Sequence, residues 1–152
     1  MTESERLLAI EEIRQLKAKY WRGIDCVDGD LVRSILSEDC VLDYTGCWTD
    51  PVTGTDHMPE MNVVWRGRDS WPSRQDGSPF ASVHQGHQNE IELIDETTAR
   101  GMWYFTDRFF IPAASPFPQL VGYGQYQDTY EKSDGRWLLK TTRITRFRIE
   151  AR

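Results

Sequence analysis

Apolar residues recur every three or four positions through the N-terminal part of the chain and every second position through its C-terminal half. Ile10, Ile13, Leu16, Tyr20 and Ile24 make one stripe, the signature of an amphipathic helix. Thr2 or Ser4 is its candidate cap, and acidic residues fill its first turn, where the helix dipole favours them. Gly29 in the run CVDGD breaks the helix between Asp25 and Asp30. A second short helix is expected over 31–36 and a strand over CVLDY, residues 40–44. Residues 45–80 hold no sustained period; they are rich in turn formers, with one helical turn expected near 68–71. A stretch of this kind is either a lid over a site or a surface excursion. From residue 84 onward the period changes to two, giving strands over 88–95, 99–111, 119–132 and 136–149. Ser133-Asp134-Gly135 is a hairpin connection, and the three prolines of IPAASPFPQL exclude that segment from a central strand.

Helices first and long strands after predict one α+β domain over 1–152, with the helices on one face of a curved antiparallel sheet. A chain of 152 residues buries roughly 70% of its unfolded surface, enough for a core and one cavity. With 39% apolar and 28% charged residues the composition is that of a soluble globular protein. A net charge of -6 argues against nucleic acid or an anionic membrane as partner. Arg143, Arg146 and Arg148 do not change this, since strand alternation divides them between two faces. The first residues lack the apolar stretch of a signal peptide, and no window is apolar enough to span a membrane, so a cytoplasmic protein is expected. Three cysteines, an odd number without CxxC spacing, fit a reducing compartment and read as small buried hydrophobes.

The candidate chemistry is a carboxylate and an imidazole. Asp25 stands at a helix C-terminus, where the dipole disfavours a negative charge, and so invites a specific reason for its presence. A carboxylate that orients a histidine makes a proton-transfer device near neutral pH. Which histidine faces inward depends on parity. Ile91 and Leu93 share one strand face, and regular alternation puts His87 and Asn89 with them and His84 opposite. A bulge at Gly86 reverses that assignment and turns His84 inward. A metal site is not expected: His84 and His87 face opposite sides, and few other His or Cys ligands exist. No phosphate-binding glycine loop, GxSxG or Cys–His nucleophile pattern occurs. Trp21, Trp48, Trp65, Trp71, Trp103, Tyr104, Phe105 and Tyr126 suit either a core or the lining of a pocket for a flat ring system.

The segments IEEIRQLKAKYWRGID, SVHQGHQNEIELIDETTARGMWYFTDRF and QYQDTYEKSDGRWLL resemble the SnoaL-like group. Its relatives include scytalone dehydratase, a lindane dehydrochlorinase and bacterial bile-acid 7-alpha-dehydratase. The resemblance implies the cone-shaped fold of the nuclear transport factor superfamily, with helix, helix, strand and helix preceding the long strands. It places the catalytic residues at His84, Asp25 and Tyr20. It also implies a substrate pocket that includes Tyr44 and Arg146, with Tyr126 and His87 as further candidates. The activity implied is a cofactor-independent lyase that removes water from a hydroxylated polycyclic or aromatic ketone. The alternatives are an enone isomerase or polyketide cyclase on the same scaffold, or a non-catalytic small-ligand carrier or oligomer subunit. A small apolar ketone as ligand and a homo-oligomer, a trimer in the first instance, complete the expectation. Residues 45–80 depart from the bile-acid enzyme in length and content, so its substrate does not transfer with the catalytic residues.

Overall fold

The computed structural model describes residues 1–73, 81–111 and 118–152. Helix α1, Glu3–Asp25, starts with a capping box: the Thr2 hydroxyl accepts from the Glu5 amide at 3.2 Å and the Glu5 carboxylate accepts from the Thr2 amide at 2.6 Å. Its buried face carries Ile13, Leu16 and Tyr20 of the predicted stripe, together with Ala9 and, unexpectedly, Lys17. Helix α2, Gly29–Arg33, begins earlier than its apolar residues suggest because Asp28 caps it, accepting from the Leu31 amide at 2.9 Å. None of the described helices is long and apolar enough to cross a membrane.

Six strands follow: β1 Leu36–Asp43, β2 Val64–Arg66, β3 Ala81–Leu93, β4 Thr98–Phe110, β5 Gln119–Ser133 and β6 Arg136–Ala151. They form one open sheet in the order β2-β1-β6-β5-β4-β3. The expectation of a purely antiparallel sheet needs correcting, because β1 runs parallel to β6 while the other pairs are antiparallel. The reason is topological: β1 precedes four long strands, and of these only the last, β6, returns beside it. Parallel neighbours need such a long connection. Of the helix expected after β1, only the short 3-10 turns Pro59–Met61 and Arg68–Ser70 are present among the described residues. β3 begins at Ala81 rather than 88 because Ser82–Gly86 pair with Phe105–Phe109. The β5–β6 hairpin turns through Asp134 and Gly135 at φ 50° and 75°, the primed geometry that matches strand twist. The proline-rich segment expected between β4 and β5 lies mostly outside the described residues.

Register irregularities in the β5–β6 and β3–β4 pairs shape the long part of the sheet. The β5–β6 register slips between Tyr123 and Gly124 and again between Thr129 and Tyr130, leaving one extra residue on β6 each time. The β3–β4 register slips between Gly86 and Asn89. Bulges of this kind bend a strand and increase its twist. Helix α1 packs across β3 and β6, and Trp21 from α1 lies against the β3 bulge. A Cβ on Gly86 would stand 2.2 Å from the Trp21 ring, so only glycine lets helix and bulge approach this closely. Gly86→Ala is therefore expected to cost about 1–3 kcal/mol, the usual penalty of overpacking, measured by urea unfolding against wild type.

Candidate functional site

Helix α1 ends where its last residue, Asp25, meets the start of β3. One Asp25 oxygen accepts from Ser82 Oγ at 2.8 Å and lies 2.6 Å from His84 Nδ1. The other accepts from the His84 backbone amide at 2.8 Å. Partial burial alone would raise the Asp25 pKa, but the hydrogen bonds and charge of His84, with Ser82, outweigh it and hold the carboxyl below its ordinary value. An ionised Asp25 only accepts, which assigns the hydrogen to Nδ1 and leaves Nε2 of the neutral ring as the free base position. The His84 side chain is only 4% exposed, and it lines a cavity of about 380 Å³.

The bulge at Gly86 settles which histidine faces inward. Ser82 and His84 share the inner face on one side of it, and Asn89, Ile91 and Leu93 share it on the other. His87 falls in the bulge, exposed, with Nε2 2.9 Å from Thr106 Oγ1, and takes no part in the cavity wall. The parity argument for His87 fails because it assumed an unbroken ladder.

Directly across from His84 in the β3–β4 register stands Asp107, which the sequence reading had not singled out. Its Oδ2 lies 3.9 Å from His84 Nε2, too far for a hydrogen bond but close enough for charge to matter. Arg146 on β6 grips the Asp107 carboxylate with two parallel bonds of 2.8 Å and donates through Nε to the Cys47 carbonyl at 2.5 Å. Its guanidinium carbon sits 4.4 Å from the Trp48 ring centroid. A Cβ on Gly122 would come within 2.3 Å of both partners, so that glycine leaves the room they occupy. Arg146 thus lines the cavity with its charge balanced by Asp107 rather than free for a substrate anion. Asp107 follows Trp103 and Phe105 and precedes Phe109 on the inner face of β4; a lone carboxylate in a period-two aromatic run is the signal that marks it.

Tyr20 from α1 and Tyr44, just after β1, bring their hydroxyls into a short contact at the cavity wall. Burial, reinforced for Tyr20 by the neighbouring phenols, raises both pKa values well above the usual range, so both hydroxyls stay protonated. When one donates to the other, the second keeps a hydrogen for a ligand. Tyr126 lies on the same wall, its ring edge-on to Tyr20 at 5.9 Å. The described part of the irregular stretch folds over this space: Trp48, Met61, Val63, Trp65, Trp71 and Pro72 all line it. Trp65 and Trp71 pack at 5.8 Å, and Trp48 meets Phe109 at 4.6 Å. Trp21, Trp103 and Phe105 stand behind the wall, while Tyr104 faces outward, exposed, against Phe147. Cys40 and Cys47 are buried, and burial pushes the Cys47 thiol up to about 12, so it is no nucleophile. Among the described residues no group of three or more His, Cys, Asp and Glu side chains is arranged to hold a metal ion.

Residues 5–143 match the family model of the SnoaL-like domain. The chain belongs to the SnoaL-like family. Solved structures of the same architecture include a scytalone dehydratase-like protein of Novosphingobium aromaticivorans, 20% identical with a TM-score of 0.78, covering 99% of this chain and 92% of that one. A type 3 hexachlorocyclohexane dehydrochlorinase of Novosphingobium barchaimii is 14% identical, with a TM-score of 0.75 and coverage of 99% and 94%. A Mycobacterium tuberculosis protein of unknown function is 22% identical, with a TM-score of 0.69 and coverage of 94% and 74%. These likenesses fix the fold of this SnoaL-like chain, and its site rests on its own geometry.

Two outcomes follow from the electrostatics. Arg146→Met leaves Asp107 buried and unpaired, which should cost about 3–5 kcal/mol in urea unfolding. The Asp25 carboxyl is held below its ordinary value of 3.8, so its contribution is complete above that pH and lost as pH falls through the lowered native value. The stability gap between wild type and Asp25→Asn should therefore be constant near neutrality and shrink below about pH 4 in pH-dependent unfolding.

Proposed function

We propose that this protein is a cofactor-independent lyase that eliminates water from a hydroxylated ring ketone. One observation carries the reading: His84 is locked by Asp25 at Nδ1 and by its own backbone amide, while its Nε2 side opens on an aromatic cavity. A positioned imidazole with a free nitrogen is a general base, and the aromatic walls suit a flat, apolar skeleton.

The reaction runs in two connected stages. The substrate carbonyl accepts a hydrogen bond from the Tyr20–Tyr44 pair while its ring lies among Trp48, Trp65 and Trp71. His84 Nε2 removes a proton from the carbon next to the carbonyl, and the C–H electron pair becomes an enolate whose oxygen is held by the phenols. The enolate then re-forms the carbonyl, the new carbon–carbon double bond forms, and the C–O bond to the β-hydroxyl breaks. The imidazolium returns its proton to the departing oxygen, which leaves as water. Asp25 stabilises the imidazolium from one side, as carboxylates do in other histidine dyads. Asp107, 3.9 Å from Nε2, adds a second negative charge on the other side, while Arg146 holds that carboxylate in place. An oxyanion donor of the phenol type contributes about 3–4 kcal/mol, and the base about 10²–10⁴-fold. An isomerase would use the same base on an enone and lose no water.

The test is a panel of β-hydroxy ketones on two-ring, three-ring and four-ring skeletons, followed by ultraviolet absorbance of the conjugated product and by mass. A product lighter by one water, formed by wild type and slowed about 10²–10⁴-fold in His84→Ala and Asp25→Asn, is the expected result. Wild-type activity retained in His84→Ala would remove the base from the mechanism. Tight binding by both proteins without turnover would identify a carrier, and a product of unchanged mass an isomerase.

A further inference from the structure

Behind the cavity wall lies a buried charge pair that the mechanism above does not use. Lys17 and Asp128 meet at 2.8 Å with both side chains fully buried. Asp128 also accepts from Tyr130 Oη at 2.7 Å and from the Thr142 hydroxyl, so the carboxylate is held from β5 and β6 as well as from α1. The Lys17 ammonium is 3.6 Å from the Tyr126 ring centroid, 4.6 Å from that of Tyr20 and 5.1 Å from that of Trp21. Tyr20 and Tyr126 are cavity-wall residues, and Tyr20 carries the hydroxyl that meets Tyr44. Holding a helix on a sheet does not require such a pair, since apolar side chains of similar volume usually serve as well or better. The placement of this charge, over two rings that also line the cavity, calls for another reason.

We propose that Lys17 is a positioning residue for the reaction: its ammonium, pinned by Asp128, fixes the Tyr20 and Tyr126 rings and places positive charge behind the phenol that holds the substrate oxygen. A cation on the face of a phenol strengthens the hydroxyl as a donor, because it stabilises the charge that develops as the hydrogen is shared. The effect is greatest where water is excluded, and here it is. The inference rests on the lyase reading for its consequence in turnover, and on geometry alone for its consequence in binding.

The device has its own pH signature. Burial lowers the Lys17 pKa to about 8, against the opposing pull of Asp128. The groups that face the ammonium are Asp128 and Tyr126 from β5, with Tyr130 and Thr142 behind Asp128, and Tyr20 and Trp21 from α1. The three tyrosines are all raised well above the usual range and stay neutral there. Lys17 is charged below about pH 8 and loses its proton above it, so what depends on its charge is present at pH 7 and lost at pH 9.5.

The experiment compares wild type with the near-isosteric, uncharged pair Lys17→Met with Asp128→Asn. Turnover of 3-hydroxy-1-tetralone and affinity for 1-tetralone, read by tryptophan fluorescence, are measured from pH 7 to 9.5. In wild type both are expected to fall, with a midpoint near 8 that matches the titration of the buried lysine followed by NMR of ¹³Cε-labelled protein. In the double variant both should be flat, with kcat about ten- to thirtyfold below wild type at pH 7 and KM within about threefold. Wild-type kcat in the double variant overturns the proposal, as does a wild-type profile with no break at the lysine midpoint. Should the double variant not fold, the wild-type profiles and the NMR midpoint decide by themselves. A break in binding without turnover refutes the lyase reading and supports the role of Lys17; turnover with no break does the reverse.

Discussion

Asp25 joins helix to sheet and orients the His84 imidazole with the same two oxygen atoms. It takes the backbone amide and the imidazole of His84, and the hydroxyl of Ser82, at the end of α1, whose last carbonyls accept from the amides of Cys26, Val27 and Asp28. A carboxylate at that end works against the helix dipole, so its place is maintained by the partners it meets on β3. The backbone amide of His84 holds the Asp25 carboxylate in place, so rotation of the imidazole breaks its own bond to a fixed partner. The tautomer, the ring orientation and the docking angle of α1 are thus one constraint.

The rest of the site follows from how the interior manages charge. Lys17, Asp107, Asp128 and Arg146 are all buried, and each is matched: Lys17 with Asp128, Arg146 with Asp107. Unpaired in such surroundings, a carboxylate is driven to take up a proton and an ammonium to give one up, and pairing opposes both. Pairing also spreads the functional elements over the fold, since the bonds link α1 to β5 and β6 to β4. The cavity ends up with one polar wall, built by His84, Asp107 and the two tyrosines. Its other walls are mostly aromatic and aliphatic, supplied in large part by the irregular stretch between β1 and β3, which also contributes Glu60.

Much of this was legible in the chain. The three-to-four period of Ile13, Leu16 and Tyr20 located α1, its cap was one of the two expected, Thr2 rather than Ser4, and Asp134-Gly135 located the last hairpin. Family resemblance picked His84 with Asp25, where alternation alone pointed to His87. What escaped was long-range. The parallel pairing of β1 with β6 depends on where the last strand returns, and nothing local in Leu36–Asp43 encodes it. The bulge at Gly86 depends on Trp21, sixty-odd residues earlier, as much as on the glycine itself. Lys17, Asp107 and Asp128 were passed over for a simpler reason: each is a charged residue on an apolar face, and a reading by hydrophobic periods discards it as noise. Each sits in register with the apolar residues around it, Lys17 between Ile13 and Tyr20, Asp107 between Phe105 and Phe109, Asp128 between Tyr126 and Tyr130.

That shared feature says something about how the site is made. A charge in register with the core cannot reach water by turning its side chain, because the backbone period fixes it inward. It must find a partner on another element, and that partner must also face inward. Two such pairs in one small domain confine the relative positions of four elements more tightly than apolar contacts, which tolerate repacking. The proposed general base would gain from this kind of confinement, since the donor–acceptor distances it uses vary over only a few tenths of an ångström. The buried charges and the exposed-looking helix-end aspartate therefore belong to one arrangement, in which the polar groups set the geometry and the aromatic side chains fill what remains around the substrate.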